Sequence, residues 1–260
     1  MYLSFHSLYN FSIFPIYHCI SMMTARQRDV VLPDCIQLTR EGFYGFSQLQ
    51  VQRVLFQKKT VRVVEASGVG DLSCSRVAVK EYAQLNSDNS AQILNEITIL
   101  HTCHHPNIMQ LQGAVLSTTD CSLSIIMPLC SRGTLSGRIR TGMDVPTITR
   151  YFTQVACALR HLHLKNIVHG DVKPANILID DCDNAVLTDF DHATILSPKQ
   201  DTVTQWGGTF GYIGPEALSE EPFCPYKVRQ CHIPLPSCIC ILYVYSMFCS
   251  YKLAVPQQVG

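Results

Sequence analysis

The sequence predicts an α+β fold, with strands gathered in its first half and its longest helix in the second. Three observations carry this. Residues 46–80 read as strands: Val51, Val54 and Phe56, then Val61, Val63 and Val64, then Val77-Ala78-Val79-Lys80. Residues 91–100 and 144–164 carry apolar side chains at helical spacing. Residues 167–179 place two apolar runs of strand character around a short polar loop.

Composition narrows the function classes. A chain of 260 residues is long enough for one large domain or two lobes. Lys plus Arg and Asp plus Glu each number 20, so no bulk attraction to nucleic acid or to a membrane surface is expected. All the acidic residues lie between Asp29 and Glu221, which marks both ends as different from the middle. The 13 cysteines include no Cys-x-x-Cys pair, which argues for free thiols in a reducing, cytoplasmic setting. The nearest approach to a metal cluster is Cys231-His232 with Cys238-x-Cys240, in an apolar run that argues against it.

Residues 1–28 are apolar and aromatic, without a basic start, and Pro15 interrupts them. That fits an extension outside the domain better than a signal peptide or membrane anchor. In the strand region, Ser67-Gly68-Val69-Gly70-Asp71 is expected to turn. The helix over 91–100 buries Leu94, Ile97 and Leu100, with Ser87, Asn89 or Ser90 as its cap. His101, Cys103, His104 and His105 are too tightly bunched to chelate on one regular element, so His104-His105-Pro106-Asn107-Ile108 reads as a loop. Leu123 to Met127 is a buried strand. The helix over 144–164 has Asp144 as cap, Pro146 in its first turn and Phe152, Val155, Leu159 and Leu162 on one stripe. On it, His161 and His163 read as packing or surface residues.

The polar loop is His169-Gly170-Asp171-Val172-Lys173-Pro174-Ala175-Asn176. A carboxylate can accept a hydroxyl proton, a lysine can hold a phosphate and an amide oxygen can ligate Mg²⁺. This grouping resembles the catalytic loop of eukaryotic protein kinases, His-Arg-Asp-x-Lys-x-x-Asn, with Gly170 where the arginine stands. After a turn at residues 180–184 and the strand-like Ala185-Val186-Leu187 comes Asp189-Phe190-Asp191, similar to the metal-binding Asp-Phe-Gly. Two motifs at the right separation are far more specific than either alone.

The resemblance implies a bilobal protein-kinase-like fold, with a small β-rich lobe over 46–130 and part of a helical lobe over 131–227. It implies that ATP lies between the lobes, its α/β-phosphates held by Lys80, which Glu96 positions. Asn176 and Asp189 would hold Mg²⁺. Asp171 would accept or orient the hydroxyl proton of a Ser/Thr protein substrate, and Lys173 would steady the γ-phosphate. Val63, Ala78 and Leu178 would sandwich adenine, with Leu129 and Cys130 at the hinge and Met127 as gatekeeper. Lys173 and Thr209, within the Gly-Thr-x-x-Tyr-like segment 208–212, fit serine/threonine kinases, and the residue texture resembles the tyrosine-kinase-like group.

Three departures qualify this. Counting back from Lys80 puts Phe56, Lys58 and Val61 where glycines should cradle the phosphates, with Lys58 or Lys59 as a compensating charge. Gly170 removes the arginine that meets an activation-loop phosphate, which makes Thr202 and Thr204 poor switch sites. Asp191 replaces a glycine and adds a negative charge, aspartate tolerating left-handed geometry better than most residues. The resemblance stops near Lys227. Residues 228–260, apolar and Cys-rich, are expected to be the translation of an unspliced intron, which would leave Glu216 without its buried arginine partner. The expected function is ATP- and Mg²⁺-dependent phosphorylation of Ser/Thr hydroxyls. Its rivals are a kinase-like nucleotide-binding or scaffold module and a truncated product without activity.

Overall fold

A computed structural model of the chain describes residues 49–68, 76–86, 88–117 and 119–197, together with the backbone of Cys35–Thr39 and isolated positions elsewhere. Val69, Gly70 and Asp71, Ser87, Thr204, Glu216, nearly all of 1–34 and all of 228–260 lie outside the described residues, as do the expectations placed on them. The described chain divides into two compact units, residues 1–104 with 109–129, and residues 105–108 with 130–260.

The first unit is built on a six-stranded antiparallel sheet in the order β1-β5-β6-β4-β3-β2. Its strands are β1 (Cys35–Thr39), β2 (Leu49–Gln57), β3 (Val61–Gly68), β4 (Arg76–Tyr82), β5 (Gly113–Ser117) and β6 (Ser122–Pro128). Because strand side chains alternate between faces, the register sorts the residues. Val64, Ala66, Val77, Val79 and Ile126 form a buried apolar cluster on one face. Val63, Ala78, Lys80 and Met127 share the other, since Val63 pairs with Lys80 and Ala78 with Met127. Helix α1 (Ser90–Thr102) buries Leu94, Ile97 and Leu100 at the expected spacing.

The second unit holds α2 (Leu135–Thr141), α3 (Val145–Leu164), β7 (Ile167–Val168), a 3₁₀ turn (Pro174–Asn176), and β8 (Ile177–Ile179) paired antiparallel with β9 (Ala185–Leu187). β10 (Thr194–Ile195) pairs with β7. Asp144 caps α3 through a 3.0 Å bond from the Thr147 amide, and Pro146 lies in the first turn.

Several expectations need correction. Ser67 and Gly68 are strand rather than turn, because Ser67 pairs with both Gln50 and Arg76 and so extends the ladder. Asn89 occupies the α1 cap position without capping it, since its side chain is spent on Gln84 and Asn86 in the preceding loop. The buried stripe of α3 is Tyr151, Val155, Ala158, Leu159 and Leu162, with Phe152 only half-buried. Tyr151 is wholly buried, and its hydroxyl donates to Asp183 at 2.8 Å. Asp191 does not take the left-handed conformation. Asp189 does, at φ +66°. β1, β5 and α2 were not legible beforehand, being short and weakly patterned. β1 lies before residue 46, where the small lobe was expected to begin.

Candidate active site

On the first unit, two-residue periodicity places Lys80 and Tyr82 on the same face of β4. Lys80 Nζ lies 2.8 and 3.0 Å from the two carboxylate oxygens of Glu96, on α1. Both side chains are nearly inaccessible, at 9% and 2% exposure, so each charge depends on the other. The Tyr82 hydroxyl donates to Glu96 Oε2, and Lys80 Nζ sits 5.2 Å from the Tyr82 ring centre. Sequence reading paired Lys80 with Glu96 and missed Tyr82. The signal was its position two residues beyond Lys80.

Val63 is half-buried, while Ala78 and Met127 are buried beside Lys80 on the same sheet face. Leu129 ends the first unit, and Cys130 begins the longer segment of the second. Burial, reinforced by Asp180 and Asp181, pushes the Cys130 thiol up to about 12. At the β2–β3 hairpin, Lys58 and Thr60 stand at a tight tip closed by the Lys58 amide to the Val61 carbonyl at 2.8 Å. Lys58 Nζ lies 5.4 Å from the ring centre of Phe56, which is 47% exposed.

On the second unit the polar loop converges on Asp171. Lys173 Nζ lies 2.6 Å from Asp171 Oδ2, and Asn176 Nδ2 donates to the same oxygen at 3.0 Å and to the Asp171 carbonyl at 2.9 Å. The Thr209 amide donates to Asp171 Oδ1 at 2.9 Å, and Lys173 also donates to the Thr209 hydroxyl. Burial pushes the Asp171 carboxyl up, but hydrogen bonds from Lys173 and Thr209 outweigh it and hold it below the usual carboxylate range. Thr209 was noticed in the sequence only as a family marker.

His169 is wholly buried between Phe190, with ring centres 4.8 Å apart, and the Thr188 carbonyl, 3.0 Å from Nε2. Desolvation lowers its pKa, so it stays neutral. Gly170, at φ +83°, presses against the His192 backbone. Leu178, mid-β8, is half-buried and bridges to Thr134.

Asn176 precedes β8 and Asp189 follows β9, both at the open end of the β8–β9 hairpin, which is closed by the Thr188 amide to the Asn176 carbonyl at 3.0 Å. Because both Asn176 Nδ2 bonds go to Asp171, its amide oxygen remains as an acceptor. An amide oxygen with a carboxylate is the hard-oxygen set that Mg²⁺ prefers, so these residues fit that ion.

With this fold and this loop in place, the sequence matches the protein kinase domain family over residues 63–231. The chain belongs to that family. It is 30% identical to rhodopsin kinase grk7-b of Xenopus laevis over 168 residues, which is 63% of this chain and 30% of the relative. Against the human serine/threonine-protein kinase Nek2 it is 28% identical over 150 residues, or 54% of this chain and 34% of the relative. Human rhodopsin kinase GRK7 is 32% identical over 173 residues, or 65% of this chain and 30% of the relative. The chain thus spans about a third of the length of these curated relatives. Among the described residues no helix is long and apolar enough to cross a membrane.

Proposed function

We propose that this chain transfers the γ-phosphoryl group of ATP to serine or threonine hydroxyls of proteins, with Mg²⁺. The observation that carries the reading is the Asp171 carboxylate, ionised and held by Lys173, Asn176 and Thr209 on one loop. Such a carboxylate can orient a hydroxyl and take its proton as the oxygen attacks phosphorus. Lys173, beside it, steadies the transferring phosphate. Lys80, fixed by Glu96, holds the α/β-phosphates. Val63, Ala78, Met127, Leu129, Cys130 and Leu178 contact adenine. Asn176 and Asp189 would hold Mg²⁺, which would neutralise charge on the phosphates. We assign the small lobe to 46–130 and the large-lobe portion to 131–227, with 1–45, apart from the edge strand β1, and 228–260 outside the kinase domain, and place the protein in the cytoplasm.

A second reading, a nucleotide-binding module without turnover, is favoured by the β2–β3 tip. Gln57, Lys58, Lys59 and Thr60 stand there without a glycine, so side chains limit how closely backbone amides approach a phosphate. Thermal shift with Mg²⁺·ATP, run beside phosphate transfer to a generic protein substrate, separates the readings. A shift with transfer supports the kinase. A shift without transfer selects the module, and neither refutes both.

A further inference from the structure

We propose that Asp183 is a positioning residue for Asn176 and Asp189, holding the β8–β9 hairpin from whose ends they extend. The proposal rests on the reading above that these two side chains hold Mg²⁺.

The hairpin has strands of three residues each, too short to keep its own position. Something outside must place it. At its turn the Asp180 amide donates to the Asn184 carbonyl at 3.0 Å, and Asp183 takes the left-handed conformation at φ +63°. That geometry aims the Asp183 carboxylate at four donors. Arg132, in the loop before α2, lies at 3.1 Å. Arg138, on α2, lies at 3.4 Å. From α3 come the Tyr151 hydroxyl at 2.8 Å and Arg150, which also donates to the Asp183 carbonyl. Gln154, one turn further along α3, donates to Asn184 Oδ1 and accepts from the Ala185 amide, both at 2.8 Å.

One exposed ion pair would constrain little. Three guanidinium groups and a phenol, drawn from the loop before α2, from α2 and from α3, meet on one carboxylate and fix a point in space. The carboxyl is held down to about 2, by the Arg150 bond first and Tyr151 second, so the clamp stays charged at any working pH. Asp180 and Asp181 belong to the same turn, and Asp181 is engaged by the Ser131 hydroxyl. At the far end the Thr188–Asn176 backbone bond makes the two strands move as one. A tilt at the tip therefore displaces both proposed ligands together. Metal sites are sensitive to such outlying support.

The test is Asp183→Asn in the full chain, since asparagine keeps the volume and tolerates the left-handed turn. Mg²⁺ is titrated at fixed ATP, reading the thermal shift, and Mn²⁺ binding is followed by its paramagnetic resonance signal. The proposal expects the half-saturating metal concentration to rise about tenfold, with metal-free nucleotide binding unchanged. Unchanged metal half-saturation in folded variant overturns it, because loss of stability alone reduces the active fraction and not the affinity. Where Asp183→Asn does not fold, Arg132→Gln and Gln154→Ala each withdraw one anchor. A smaller shift in the same direction supports the proposal, and none overturns it. A wild-type chain with no metal-dependent shift would instead refute the kinase reading, and this proposal with it.

Discussion

A Cβ atom on Gly170 would stand 2.3 Å from the carbonyl oxygen of His192, closer than any real contact. The residue that departs from the family pattern is thus locked in by the backbone that follows Asp189-Phe190-Asp191. Its φ of +83° adds a second barrier to any side chain. Restoring the family residue with Gly170→Arg should therefore destabilise the chain by at least about 1–3 kcal/mol, measured by urea denaturation. Wild-type stability in this variant would show that the loop and the 189–192 segment are not in contact.

Tyr82 and Glu96 invite a finer test. Tyr82→Phe removes the hydroxyl that donates to Glu96 Oε2 while keeping the ring 5.2 Å from Lys80 Nζ. Hydrogen bonds to buried charged groups are worth about 1.5–3 kcal/mol, so a stability loss in that range is expected. An unchanged denaturation midpoint would mean that the phenol does not support the lysine–carboxylate pair.

For Asp171 the sign of the pH effect follows from its partners. Its folded-state pKa is lowered, so the carboxylate is ionised throughout neutral pH and protonates only below the ordinary carboxylate range. The acid limb of kcat/KM for phosphate transfer should therefore lie below the ordinary carboxylate range. Lys173→Met takes away the second-largest influence on that carboxyl and should move the limb upward. A limb already centred near pH 6 in the wild type would identify a different base. Asp171→Asn should reduce transfer by about 10²-fold or more, with the thermal shift from Mg²⁺·ATP retained.

Cysteine labelling supplies an independent check. The Cys130 thiol, pushed up to about 12 by burial and by Asp180 and Asp181, carries almost no thiolate at neutral pH. Cys157 and Cys182 are exposed. Iodoacetamide at pH 7.5 should modify Cys157 and Cys182 well before Cys130 (mass spectrometry of timed digests reads this). Early modification of Cys130 would place it in a different environment.

The chemistry-bearing residues were legible because they are close together in sequence. Asp171, Lys173 and Asn176 share one loop, and a 3₁₀ turn at Pro174–Asn176 suffices to fold Asn176 back on Asp171. The helix over Val145–Leu164 was legible from its period and its Asp144 cap, although Tyr151 rather than Phe152 faces inward. Short elements were not. α2 at Leu135–Thr141 contains Gly137 and seven residues, too few to show a period. β5 at Gly113–Ser117 is five residues long, too short for its apolar run to show an alternation.

The sequence by itself determined the class of the protein and the reactive loop, since each depends on short motifs and their spacing, while the pairing of Lys80 with Glu96 was implied by the family resemblance and is made by strand and helix packing. Only the tertiary structure decided the support around them. Tyr82 joining Glu96, Gly170 closing on His192 and Asp183 gathering Arg132, Arg138, Arg150 and Tyr151 all link elements distant in the chain. Those links depend on strand register, on positive φ at Gly170 and Asp183 and on which helix turn faces the hairpin. No one-dimensional period encodes them, because they are set by packing many segments at once.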